Sequence, residues 1–255
     1  MQKIKFEKLG ELDQRSNESY KTLRTNIQFC GSEVKTILVT STTQNEGKSS
    51  VSFNLARSFA ENGNRVILVD ADLRKSVLAG RYGVSDTSVG LSYYLSGQKE
   101  MDEIVNATNI PNMDIIFAGK VPPNPSELLG SDAFKKLLDT LRNQYDYVII
   151  DTPPLGYVID SAVVAPNCDG TIMVIENNAI SYRAAQEVME QLERVNSRIL
   201  GVVLNKVVLQ KKDKYYSHYY TRYGEETKKS QKKNKQLTNI DKEKKEVEEV
   251  WNMIR

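Results

Sequence analysis

Cysteine, histidine and tryptophan are almost absent from the 255-residue chain, at two, one and one residues. Cys30 and Cys168 stand far apart with no His or Cys at metal-ligand spacing, which excludes a disulfide framework and a zinc site. Both read as reduced, buried, small apolar side chains. Long apolar runs are missing too: none approaches the ~18 residues that cross a bilayer. Met1 to Tyr20 carries charge where a secretory signal would be apolar. These absences place the chain in the cytoplasm. Net charge is also small, +2, but it is unevenly spread. Residues 210–255 hold 13 Lys/Arg against 8 Asp/Glu, leaving 22 against 25 for residues 1–209. The body therefore lacks the basic excess of a nucleic-acid binder, and no nucleic-acid partner is expected. The tail reads either as a solvated, flexible extension or as a segment for anionic lipid, nucleic acid or an acidic partner.

What is present suits one sizeable α/β core with an appendage, residues 1–209 followed by residues 210–255. Short Val/Ile-rich runs recur at Thr36 to Thr40, Val66 to Asp70, Asp114 to Phe117, Tyr147 to Asp151, Thr171 to Ile175 and Ile199 to Asn205. They are too continuous for strands with one wet face, so they read as buried and mainly parallel. Between them, Lys48 to Asn62, Ser131 to Tyr145 and Tyr182 to Asn196 carry helical periodicity, with Gly63 as a stop and Ser131 as an N-cap. Alternation of this kind specifies a doubly wound, mainly parallel α/β sheet flanked by helices. Near the end, Val247, Val250, Trp251 and Ile254 share one helical face, suited to docking on a partner or packing back on the body.

The first predicted strand runs directly into Thr42-Thr43-Gln44-Asn45-Glu46-Gly47-Lys48-Ser49-Ser50 and then a helix. Gly47, Lys48 and Ser49 fit the phosphate-binding spacing G-x-x-x-x-G-K-[ST], with Thr42 in place of the first glycine. The residue types suit ATP. Backbone N–H groups at a helix N-terminus cradle anions, Lys48 reaches the β/γ-phosphates, and the Ser49 hydroxyl is a ligand for Mg²⁺. Two further strands end in acids, Asp70 with Asp72 nearby, and Asp151, and parallel strands converge at their C-terminal ends. Mg²⁺ takes one or two carboxylates, here Asp151 with Asp70, leaving an acid free to act as a base. Each aspartate alone would pass for a turn or cap residue. Asp70 and Asp72 both remain candidates for the base.

These motifs resemble the P-loop bacterial tyrosine kinases of capsule and exopolysaccharide synthesis, within the MinD-like and ParA-like deviant Walker ATPases. Thr42 to Ser49 is similar to their Walker A motif, Asp70-Ala-Asp-Leu-Arg74 to Walker A′, Asp151-Thr-Pro-Pro-Leu-Gly156 to Walker B, and Gly119 to Leu129 to their Pro-rich segment. Thr43 replaces the signature lysine of partition ATPases, which argues against a dimer-switch ATPase. The resemblance implies a P-loop kinase domain in which Lys48, Asp70 and Asp72 are catalytic and Asn205 contacts adenine, although Asn closing a strand is also ordinary turn chemistry. It further implies an oligomerisation helix at residues 18–30. There Glu18-Ser-Tyr-Lys21-Thr-Leu-Arg24 resembles a ring-forming E-x-x-R-x-x-R, with lysine replacing the middle arginine and its bidentate fork. As plain sequence these three residues are equally a solvated helix face. The split arrangement of this family implies a separate membrane activator that recruits the kinase to the inner face of the plasma membrane, and a cognate tyrosine phosphatase.

Tyr215, Tyr216, Tyr219, Tyr220 and Tyr223 pack five of 13 tyrosines into nine residues among lysines, without the aliphatic neighbours a core would supply. On composition they serve as phosphoacceptors, as a sticky recognition surface or as a stacking platform. The resemblance implies the first, by autophosphorylation in trans around a ring. A nucleotide-controlled adaptor without kinase activity is the competing reading of the chain.

Overall fold

The computed structural model describes residues 2–85 and 87–208. Along the chain run β1 (Gln2–Lys3), α1 (Gln14–Phe29), β2 (Thr36–Ser41), α2 (Lys48–Glu61), β3 (Val66–Asp70), α3 (Leu78–Tyr82), α4 (Leu91–Leu95), α5 (Met101–Ile104), β4 (Val105–Ala107) and β5 (Met113–Ile116). Then come α6 (Pro125–Leu129), α7 (Asp132–Gln144), β6 (Tyr147–Asp151), α8 (Asp160–Val164), a 3₁₀ turn (Ala165–Asn167), β7 (Gly170–Glu176), α9 (Tyr182–Arg194) and β8 (Ile199–Asn205). The strands form one sheet in the order β1-β4-β5-β3-β6-β2-β7-β8. Every pairing is parallel except β4 with β5.

The four central strands explain the unbroken apolar runs. All residues of β2 and β3 are buried, as are all but the first of β6 and all but the last of β7, so both sheet faces are covered. β3, β6 and β8 begin and end where the sequence places them; β2, β5 and β7 do so within a residue. Two strands escape the reading. β1 and β4 are two and three residues long, too short to show a period.

α2 anchors the core. Phe53 and Phe59 are fully buried, each contributing about 2–3 kcal/mol of apolar transfer. Phe53 stacks on Tyr82 at 3.7 Å, Phe6 meets its edge at 5.0 Å, and Phe59 stacks on Tyr147 at 3.9 Å. α1 covers α2, with Ile27 buried and Tyr20 and Leu23 partly buried against the same cluster. The expected boundaries hold here. Ser131 caps α7 by accepting from Phe134 N, and Gly63 follows the α2 C-cap with φ 89°.

The cysteines differ from expectation. Cys30 and Cys168 are free but only half-buried, because one closes α1 and the other follows the 3₁₀ turn, where cover is incomplete. The compact unit ends at Asn205, and residues 206–255 form a second unit. The tyrosine cluster and the helical face near Trp251 lie outside the described residues. Among the described residues no helix is long and apolar enough to cross a membrane.

Candidate active site

The sheet changes winding direction at β2, which lies between β6 and β7 while its successor β3 lies beyond β6. Strand ends at such a switch point border a crevice. The loop from Thr42 to Gly47 crosses it, with Asn45 at φ 68° and Gly47 at φ 92°. Gly47 is the N-cap of α2 and offers no side-chain cap, so the first-turn N–H groups of a 14-residue helix are left for an anion. A Cβ on Gly47 would lie 2.1 Å from Asn205 Nδ2, so any other residue would both strain this left-handed backbone and displace that amide.

Glu46 braces this loop from within. It is 1% exposed; one carboxylate oxygen accepts from Thr43 N at 2.7 Å and the other from Glu176 N at 3.4 Å. Burial is the main reason its carboxyl titrates above the ordinary range. Asn205 Nδ2 donates to Glu46 O at 2.8 Å, tying the end of β8 to the loop. Thr42 Oγ1 is buried without a hydrogen-bond partner.

Lys48 begins α2 and is nearly buried. Its Nζ lies 3.2 Å from Asp72 Oδ2, 3.8 Å from Asp151 Oδ2 and 3.3 Å from Ser49 Oγ. Desolvation acts to lower the Lys48 pKa, but Asp151, Asp72 and Asp70 outweigh it and the net shift is upward. One cation faces three acids. Asp70 and Asp151 are paired in register at the ends of β3 and β6 and are essentially inaccessible. Burial first, then the Asp151 charge, pushes the Asp70 carboxyl up to about 8. Ser76 Oγ donates to Asp70 Oδ2, and Ser52 Oγ donates to Asp151 Oδ1 at 3.0 Å.

The two candidate bases have different surroundings. Asp70 points into the protein, whereas Asp72 lines a cleft of about 220 Å³ with Lys75, Ser76, Phe117, Gly119 and Val121. Asp72 Oδ1 accepts from Lys75 N at 2.9 Å, which fixes its rotamer. The donor set fits Mg²⁺ on chemical grounds. Ser49 Oγ and Asp151 are hard oxygens beside an anion cradle, and Mg²⁺ completes its octahedron with water and phosphate. No group of three or more His, Cys, Asp or Glu among the described residues forms an all-protein metal cage.

The predicted interface residues separate. Glu18 and Lys21 pair with each other at 2.7 Å on the exposed face of α1. Arg24 turns inward, donating from Nη1 to Ser58 O at 2.7 Å, and so is engaged within its own chain. Ser52, Ser76 and Asp160 escaped the sequence reading. Ser52 was accessible to it, since a hydroxyl one turn after Lys48 faces the same side of the helix. Asp160, bound to Arg74 at 2.8 Å, had no local signal.

An uncapped helix at the switch point, led by a buried lysine and opposed by strand-end acids, defines the P-loop nucleotide-binding ATPase class. Residues 34–206 match the AAA domain family. The chain is 42% identical over 193 residues to the tyrosine-protein kinase CpsD of Streptococcus agalactiae, covering 76% of this chain and 84% of that protein. It is 37% identical to the tyrosine-protein kinase YwqD of Bacillus subtilis, covering 78% and 85%. The solved kinase domain of the Escherichia coli tyrosine kinase ETK superposes with TM-score 0.70 at 31% identity, covering 77% of this chain and 79% of that one. Within the class, therefore, the chain belongs to the bacterial tyrosine-protein kinases.

Proposed function

We propose that the chain transfers the γ-phosphoryl group of Mg-ATP to tyrosines of its own C-terminal cluster, in trans between copies, and thereby regulates capsular or exopolysaccharide synthesis. The carrying observation is Lys48, set between Asp72 and Asp151 at the uncapped start of α2. In this reading Lys48 and the amides from Thr42 to Ser50 hold the β/γ-phosphates, and Ser49 and Asp151, helped by Asp70, hold the metal. Mg²⁺, when bound, neutralises charge on the phosphate oxygens. Asp72 is the preferred base. It lines the cleft where an acceptor hydroxyl would approach, and Lys48 Nζ lies 3.2 Å from its Oδ2. Asn205, fixed beside Gly47, borders the adenine side of the loop.

The kinase domain in this reading is residues 1–209 and the substrate tail residues 210–255. Glu18 and Lys21, paired with each other and both with accessible side chains, are offered to a neighbouring subunit, and Arg24 contributes by holding α1 on α2. A membrane activator recruits the chain to the inner face of the plasma membrane, and a cognate phosphatase resets the tail. Mass spectrometry of the tail after incubation with Mg-ATP and an activator segment tests the reading. Phosphate is expected on Tyr215 to Tyr223 in the native chain and not in Lys48→Met. ATP binding without tail phosphate would instead favour a nucleotide-controlled adaptor.

A further inference from the structure

A second polar cluster lies beside the cleft. Asp160, the first residue of α8, is 0% exposed, and both of its oxygens are taken. Arg74 Nε donates to Oδ2 at 2.8 Å; Arg74 Nη2 at 3.0 Å and Ser126 Oγ at 2.6 Å donate to Oδ1. Arg74 Nη2 also donates to Ser126 Oγ at 2.9 Å. Three segments at the C-terminal edge thus meet on one carboxylate: the turn after β3, the start of α6 and the start of α8. The first carries Asp72, two residues from Arg74. Its neighbours Leu73, Lys75 and Ser76 line the same cleft, and Gly119 and Val121 come from the loop that leads to α6.

We propose that Asp160 is a positioning residue for phosphoryl transfer: through Arg74 it fixes the turn carrying Asp72 and with it the wall of the acceptor cleft. Charge alone does not explain the cluster, because Arg74 is partly exposed while Asp160 is buried, and such a pair gives little net stability. What the fork supplies is direction. A guanidinium bound at two nitrogens to one carboxylate cannot swivel, so a turn two residues from the reacting acid is held in angle as well as distance. Displacing a reacting group by about 1 Å costs on the order of 10²-fold in rate.

This inference rests on the kinase reading for its effect on rate, so its test includes a readout that needs no turnover. Full-length Asp160→Asn keeps the shape and one carbonyl acceptor but loses the paired charge. With Mg-ATP, the activator segment and tagged full-length Lys48→Met as acceptor, kcat is expected to fall about thirtyfold, while KM for the acceptor and the ATP Kd stay within about threefold. Arg74→Lys, which keeps the charge but not the fork, should fall similarly; Asp160→Glu should recover part of the loss. In hydrogen exchange without nucleotide, the Lys75 amide, held by Asp72 Oδ1 at 2.9 Å, should lose protection in Asp160→Asn while β3 and α2 keep theirs. A uniform rise in exchange across the domain would overturn the proposal in favour of a general structural staple. Unchanged Lys75 protection would overturn it whatever the kinase activity. If the native chain binds Mg-ATP but leaves the acceptor unphosphorylated, the kinase reading fails, and the exchange result still decides the positioning role.

Discussion

The two ends of α2 use glycine in the same backbone state for different ends. Gly47 and Gly63 have φ 92° and 89°, yet a Cβ on Gly47 would strike Asn205 whereas one on Gly63 meets nothing within 4 Å. The first is required by close approach at the crevice, the second by backbone geometry alone. Aspartates at the two sheet edges differ in parallel. Where strands end, Asp70, Asp72 and Asp151 share one lysine and Asp70 is driven up to about 8. Where strands begin, Asp169 accepts from Lys35 N at 2.9 Å and Thr36 N at 2.8 Å and pairs with Arg142. Burial works upward on Asp169, but Arg142 and those N–H groups outweigh it and hold it below the usual carboxylate range. A balanced carboxylate serves the fold; an unbalanced set is available to a cation or a proton.

The sharpest way to break this contrast is at Lys48. Lys48→Met should reduce tail phosphorylation by at least about 10³-fold, and Asp72→Asn by about 10²-fold or more with ATP affinity preserved; quantitative mass spectrometry and calorimetry read both. If Asp72→Asn weakens ATP binding as much as turnover, Asp72 is only a partner for Lys48. At the opposite edge, Arg142→Ala should lower unfolding free energy by about 1–3 kcal/mol, discounted because Arg142 is partly exposed, with the phosphorylation rate within twofold. Denaturant melts and initial rates check it.

The edges should also respond oppositely to pH. Asp169, lowered on folding from 3.8, contributes stability present above that value and lost as pH falls below about 4. Asp70, raised from 3.8 to about 8, keeps in the folded chain a proton that the unfolded chain releases. Between those values stability should therefore fall as pH rises, in the absence of Mg-ATP, and Asp70→Asn should flatten that slope in melts from pH 5 to 8. The smallest effect is expected at Gly63→Ala, about 1 kcal/mol from left-handed backbone strain with unchanged activity. Gly47→Ala should abolish nucleotide binding at similar cost in backbone.

The legible parts of the site were those where chemistry sits next to a strong period. Val66 to Asp70 and Tyr147 to Asp151 announce buried strands, and the acids close them; Gly47-Lys48-Ser49 follows a strand and opens a helix. Which of Asp70 and Asp72 lines the cleft was not legible, because that cleft is formed partly by Gly119 and Val121, distant in sequence. Nor was Asp160, whose partners lie 86 and 34 residues away in sequence. Arg24 illustrates the opposite case. A motif resemblance proposes it for a subunit interface, while the proximity of α2, invisible in a helical period, engages it with Ser58 of its own chain.

The register of β2 carries a consequence for how the protein is born. Its strand partners are distant in sequence, Thr36 beside Val148 and Ile37 beside Gly170, and the loop that follows is secured by Asn205, 159 residues beyond Glu46. Contacts of such long range form late, after their loop-closure entropy has been met. During synthesis from the N-terminus the nucleotide loop is therefore expected to acquire its final shape only once β8 is available, so a chain truncated before Asn205 should bind ATP less well than the full chain.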